Sequence, residues 1–305
     1  MRTTQRTAFS LFDLLVVLAV IGLLLALLLP AVQKVREAAS RIKSQNNLKQ
    51  IGQACHDYYG ANKCFPPGND AKNFSAAARL LPYLEQDALS KQINFDKPMD
   101  DKANADARKT HIKAFLSPHD EAVETVKEGW GPTNYLFNAG AKLALEDNDG
   151  IFFQDSKVKL ADITDGTSNT VMIGETLKGD GQNKAVTVKR QYVALNDKGA
   201  LKKLEDDSGV KEWKAGKHIA GDRCASWMDG RFLQGTFTAT RLPNDPKPDV
   251  SAEGGTGGLS ALRSSGQSVN TVFCDGSVHS IDNDIDPKVW KALSTRNGGE
   301  AVDDF

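Results

Sequence analysis

The distribution of apolar positions changes character twice along the chain. From Leu14 to Leu29 no side chain is polar. At 1.5 Å per residue such a helix covers about 24 Å, and Phe9 at one end with Ala31 and Val32 at the other extends it to bilayer length. After Pro30 the apolar positions become periodic: Val32, Val35, Ala39, Ile42, Leu48, Ile51, Cys55 and Tyr58. That spacing predicts one face of an amphipathic helix ending near Gly60. Pro30 removes one backbone bond and predicts a kink there. Beyond Cys64-Phe65-Pro66-Pro67-Gly68, which cannot be helical, the pattern breaks into short elements.

Among these, Ser75 is placed as the cap of a helix interrupted by Pro82. A weaker helix is expected around 103–114. FLSPHDE and GPTNYLFNAG read as short strands and turns, and GIFF, VKLADI and NTVMIGET give two or three strand candidates. The polar stretch 178–216 reads as surface loops, and the Gly/Ser-rich stretch 251–268 as a flexible loop. NTVFCDGSVHSI alternates around Asp275-Gly276 and predicts a hairpin. A short helix follows from Asp286, with Gly298 as its stop. No internal repeat is present. The fold class expected is α+β: a long N-terminal helix packed on an antiparallel sheet head with long loop insertions. The corresponding division is 1–8 as leader, 9–60 as transmembrane and amphipathic helix, and 61–305 as an exoplasmic head.

Charge sharpens this division. Residues 1–60 hold seven Lys/Arg against three Asp/Glu, a surplus of four. The remainder holds 31 against 36, a deficit of five. The basic part flanks the apolar run, where anionic lipid headgroups would meet it. The mildly acidic remainder gives no reason for nucleic-acid binding. A cleaved secretory signal is the competing reading of the N-terminus, but Leu29-Pro30-Ala31 is not an A-x-A site and the helical pattern continues past it. The acidic residue Asp13 is costly near an apolar span and calls for a cationic partner.

The segment from Ala8 through FSLFDLLVVLAVIG, preceded by Arg2 and Arg6, resembles the N-terminus of type IV pilins and type II secretion pseudopilins. The resemblance implies cleavage between Ala8 and Phe9 by prepilin peptidase and methylation of the new Phe9 amine. It also implies that Asp13 makes an assembly contact with other pilin-like subunits, and that Gly22 and Pro30 soften the helix. The family usually has Gly at the position of Ala8 and Glu at that of Asp13. Further along, QNNLKQIGQACHDYY, FPPG, LLPYLEQ, TNYLFNAG, DGIFF, LADITDGTSNTVMIGE, VFCDGSVHSI and WKALSTRNGGE resemble a large paralogous domain family of unknown function typical of planctomycete bacteria. That match is weakest from 178 to 265.

Enzyme chemistry finds no support. His56, His111, His119, His218 and His279 form no H-E-x-x-H or similar spacing, so no metal or other cofactor is expected. The family's His ten residues before Asp275-Gly276 is Ser265 here. There is no G-x-S-x-G elbow, and the glycines of 254–258 lack G-K-[ST]. The acids at 147–149, 162–165 and 282–286 could offer oxygen ligands to calcium but fit turn positions better. Cys55, Cys64, Cys224 and Cys274 allow three pairings. A turn at Gly60 would bring Cys55 to Cys64, leaving Cys224 with Cys274; unpaired buried thiols are the alternative. The function expected is a pseudopilin-like structural subunit of an envelope filament or type II secretion assembly, single-pass in the cytoplasmic membrane. The alternative is an anchored exoplasmic protein that binds a solute or polysaccharide.

Overall fold

The computed structural model describes residues 11–120, 124–197 and 199–300. The chain divides into two compact units, 1–42 and 43–305. The first consists, in its described part, of the beginning of helix α1, which runs from Leu11 to Asn62 without a break at Pro30. Leu is the commonest residue in this stretch, followed by Ala and Val, and Leu and Ala are strong helix formers that lose little freedom there.

In the second unit, the head, the last turns of α1 enter the core. Ser44, Leu48, Ile51, Ala54 and Cys55 are buried. The buried face therefore begins at Ser44, whereas Val32, Val35 and Ile42 of the expected stripe are exposed. Gly52 sits where a Cβ would approach a Val272 methyl to 3.0 Å and the Met172 methyl to 3.4 Å. Only a missing side chain lets the helix lie this close to the sheet. The helix ends two residues beyond Gly60: Lys63 takes φ 61 and its N–H bonds the Tyr59 carbonyl at 2.7 Å.

Ser75 caps α2 (Ala76–Leu80): its Oγ accepts from the Ala78 N–H at 3.1 Å and donates to the Trp227 carbonyl at 2.6 Å. Pro82 then tightens the chain into a 3₁₀ turn over Leu81–Leu84. Two single turns follow, α3 (Asp87–Ser90) and α4 (Ala105–Arg108). Strands β1 (Tyr135–Gly140) and β2 (Val171–Glu175) are buried at every position. The two expected strands between them do not form. GIFF is an irregular segment whose Ile151 and Phe152 N–H groups both bond the Asn138 carbonyl, and VKLADI ends in a 3₁₀ turn over Leu160–Asp162. Their side chains enter the core without a neighbouring strand to pair with.

The stretches expected to be loops are partly structured: 178–216 holds β3 (Tyr192–Ala194) and α5 (Val210–Lys214), and 251–268 holds β7 (Gly258–Leu259). Between them lie β4 (Ile219–Ala220), β5 (Thr236–Thr238) and β6 (Asp249–Ser251). The hairpin β8 (Ser268–Phe273) and β9 (Val278–Asp282) turns through Gly276 at φ 85. Helix α6 (Pro287–Ala292) is capped by Asp286 and stops well before Gly298, whose N–H bonds Asp165 at 2.7 Å instead.

These strands make two sheets, ordered β5-β1-β2-β8-β9 and β4-β3-β6-β7. The fold is α+β. Each sheet contains one parallel pairing, β1 with β5 and β3 with β6, so the head is mixed where an antiparallel sheet was expected. The main core joins α1 and α2 to the first sheet, and Val193, Ile219, Val250 and Leu259 form a separate cluster on the second.

Candidate functional site

Helix α1 carries Asp13, Leu14, Gly22, Leu29 and Pro30. Ala8 and Phe9 lie outside the described residues. The large apolar side chains from Leu14 to Leu29 expose between 42% and 66% of their surface. An apolar surface of this extent demands a non-aqueous cover. Among the described residues one helix is long and apolar enough to cross a membrane. Its 52 residues would measure about 78 Å, well beyond the ~30 Å hydrocarbon core.

The four cysteines are free thiols, and neither expected bridge forms. Because α1 continues past Gly60 to Asn62, no turn at Gly60 folds Cys64, two residues beyond the helix end, back onto Cys55. Cys224 and Cys274 belong to different core clusters. Burial is the main cause that pushes the Cys224 thiol up to about 12 and raises Cys55 and Cys274 as well.

The five histidines are dispersed. His279 stacks edge-on against Phe273 at 4.8 Å and His56 against Phe65 at 6.0 Å. Among the described residues no three His, Cys, Asp or Glu side chains gather as a metal site. The acidic clusters accept backbone bonds: Asp149 from Ala141 at 2.6 Å, Asp162 from Lys159 at 2.8 Å, and Asp165 from Gly298 and Gly299. Ser265 is exposed.

Two buried ionic centres lie within the head. Asp249 at the start of β6 is fully buried between Arg223 and Arg263, themselves 1% exposed. Burial alone would raise its carboxyl; the Arg263 and Arg223 charges outweigh that and hold it below the ordinary value. Asp120 is gripped by Lys178 at 3.5 Å and Arg190 at 2.8 Å and accepts from Asn134 at 2.7 Å. The two cations again overcome burial and keep its carboxyl low.

Beside the first of these centres a polar cavity of about 250 Å³ opens next to β3. The Tyr192 hydroxyl donates to Asp222 at 2.8 Å, and burial and then the Asp222 charge raise its phenol. Arg231 grips the buried Asp229 with Nε and Nη2, a hydrogen-bonded pairing that raises the guanidinium further. Parallel pairing of β3 with β6 sets Tyr192 opposite Asp249, which ties the cavity wall to the buried ion centre. None of these residues carries a local sequence signal. Their meeting depends on strands of two or three residues too short to show a period.

These features define a membrane-anchorable α+β protein with two buried ion clusters in its head. Residues 33–288, more than half of the chain, match the family described as protein of unknown function (DUF1559), and the chain belongs to that family. No curated protein and no solved structure matches it.

Proposed function

We propose that this protein is a pilin-like structural subunit, anchored in the cytoplasmic membrane by Leu14–Leu29 and assembled with like subunits into an envelope filament or type II secretion assembly. The observation that carries this reading is the exposed apolar surface of α1, which does not stop with the span. Val32, Val35 and Ile42 are 59%, 70% and 58% exposed. From Leu14 to Ile42 the helix rises about 42 Å, more than a hydrocarbon core of about 30 Å can cover. Helices of neighbouring subunits would cover the remainder. Lys34 and Arg36 follow the apolar run, where lipid headgroups would meet them. The head acts here as a structural body and not as an enzyme.

In this reading prepilin peptidase removes residues 1–8, Phe9 becomes the methylated end, and Asp13 pairs with that amine on the adjoining subunit. An opposite charge about 4 Å away in an effective dielectric near 20 contributes roughly 4 kcal/mol before desolvation is subtracted. Asp13→Ala should then insert as well as the parent yet fail to assemble, while Asp13→Glu assembles. The measurement compares membrane content with sheared surface filament for both variants, with intact mass reporting the Phe9 start. Sheared polymer from Asp13→Ala at parental amounts would reject the assembly role and favour an anchored, monomeric binding protein.

A further inference from the structure

We propose that the cavity beside β3 binds a small, neutral, hydroxyl-rich ligand: a single sugar ring or a polyol. Its volume of about 250 Å³ lies under the ~300 Å³ at which drug-sized sites begin, so it suits one small ring. Three charged side chains line it, Asp222, Arg231 and Lys127; the buried Asp229 behind Arg231 neutralises that guanidinium, so Asp222 stands against Lys127. A ligand anion would face Asp222 and a ligand cation would face Arg231, so a neutral molecule is favoured on both counts.

The remaining hydrogen-bonding capacity alternates. Tyr192 spends its proton on Asp222 and keeps lone pairs to accept with. Asp222 has a second carboxylate oxygen to accept with. Arg231 uses Nε and Nη2 on Asp229, which leaves Nη1 as a donor. Asn196 adds an amide at the exposed rim. Vicinal hydroxyls, each donor and acceptor at once, answer such a set.

The groups are held in advance of any ligand. Asp229, 1% exposed in its side chain, fixes the Arg231 fork, and strand pairing fixes Tyr192. Gly254 and Gly255 line the cavity beside Arg231 with φ 70 and 68. A Cβ on Gly255 would come within 2.9 Å of the Arg231 Cβ, so glycine permits this close wall. The site is independent of whether the chain assembles.

The test uses the full chain in phosphatidylcholine nanodiscs, which contain no sugar detergent. D-glucose, D-galactose, N-acetyl-D-glucosamine and glycerol are titrated by calorimetry and saturation-transfer NMR, with sulfate as the charged competitor. The expected result is saturable one-to-one binding of at least one of the four. Tyr192→Phe and Asn196→Ala should each weaken it about tenfold, one hydrogen bond's worth, with the melting temperature unchanged for the exposed Asn196→Ala. Should Tyr192→Phe fail to fold, Asn196→Ala on the exposed rim decides alone. Absence of saturable binding by all four, parental affinity in Asn196→Ala, or displacement by sulfate overturns the proposal.

Discussion

Replacing Asp249 by Asn keeps the shape of the side chain and removes one charge from the middle of a buried cluster. Arg223 and Arg263 would then face each other with no counter-charge, both out of water. Breaking a buried pair from one side costs about 3–5 kcal/mol. The full solvation penalty is not reached, because each guanidinium keeps carbonyl partners: Ala261 for Arg223 at 2.8 Å and Lys247 for Arg263 at 2.8 Å. At about 2–4 °C per kcal/mol for a body of this size, the melting temperature should drop by about 6–20 °C. Fluorescence of the buried Trp227 and Trp290 reports the transition. A pH series adds a second readout. A folded carboxyl held below its unfolded value contributes stability that is complete above the ordinary value of 3.8 and is lost as pH falls through the folded value. The parent should therefore lose this contribution below about pH 4, and Asp249→Asn should lack that component. Removing the centre with Asp249→Leu, Arg223→Met and Arg263→Met together should cost less than the single change, since neither of the two paired guanidiniums is left buried and the nearby Arg241 keeps Asp206 at 3.9 Å. A loss below about 1 kcal/mol for Asp249→Asn, or a triple variant worse than the single, would refute the reasoning.

Gly52→Val should destabilise the head by about 1–3 kcal/mol through overpacking against Val272 and Met172, measured by the same melt. The thiols give a chemical and an alkaline prediction. Native protein should expose one reactive thiol, the half-buried Cys64, and unfolded protein four, counted with a disulfide reagent. The buried thiols have folded pKa values above the ordinary 9.0, so their contribution is complete below pH 9 and is lost as pH rises toward the folded value, about 12 for Cys224. Stability should fall from pH 9 upward, and Cys224→Ala should reduce that fall.

Elements with a long or strongly punctuated pattern were legible. Helix α1, the Ser75 cap, the Pro82 break, β1, β2 and the hairpin around Asp275-Gly276 all follow from local chemistry, because each carries its own stop or its own period. GIFF and VKLADI looked like strands because their composition suits one, but a strand also needs a partner, and in this head their backbone bonds go to β1 and to a 3₁₀ turn. The second sheet was missed for the opposite reason. Its strands have two or three residues each, and its glycines look like a flexible linker until Gly257 and Gly258 are seen pressed against the backbone at Leu143 and Val250.

The sequence by itself determined that the first sixty residues are mainly helix, that part of it is apolar enough for a membrane, and that an α+β body follows. Those properties depend on neighbours three or four positions away, which a sequence displays directly. Tertiary structure decided the rest. The amphipathic stripe is buried only from Ser44 onward, because the sheet begins there. The cysteines stay apart, because the helix does not turn at Gly60. Asp249 meets two arginines 26 and 14 positions away, and Tyr192 meets Asp222 at a separation of 30, each through a fold that gathers distant residues. Contacts at such separations have no periodicity to betray them, and only the packed sheets bring them within hydrogen-bonding distance.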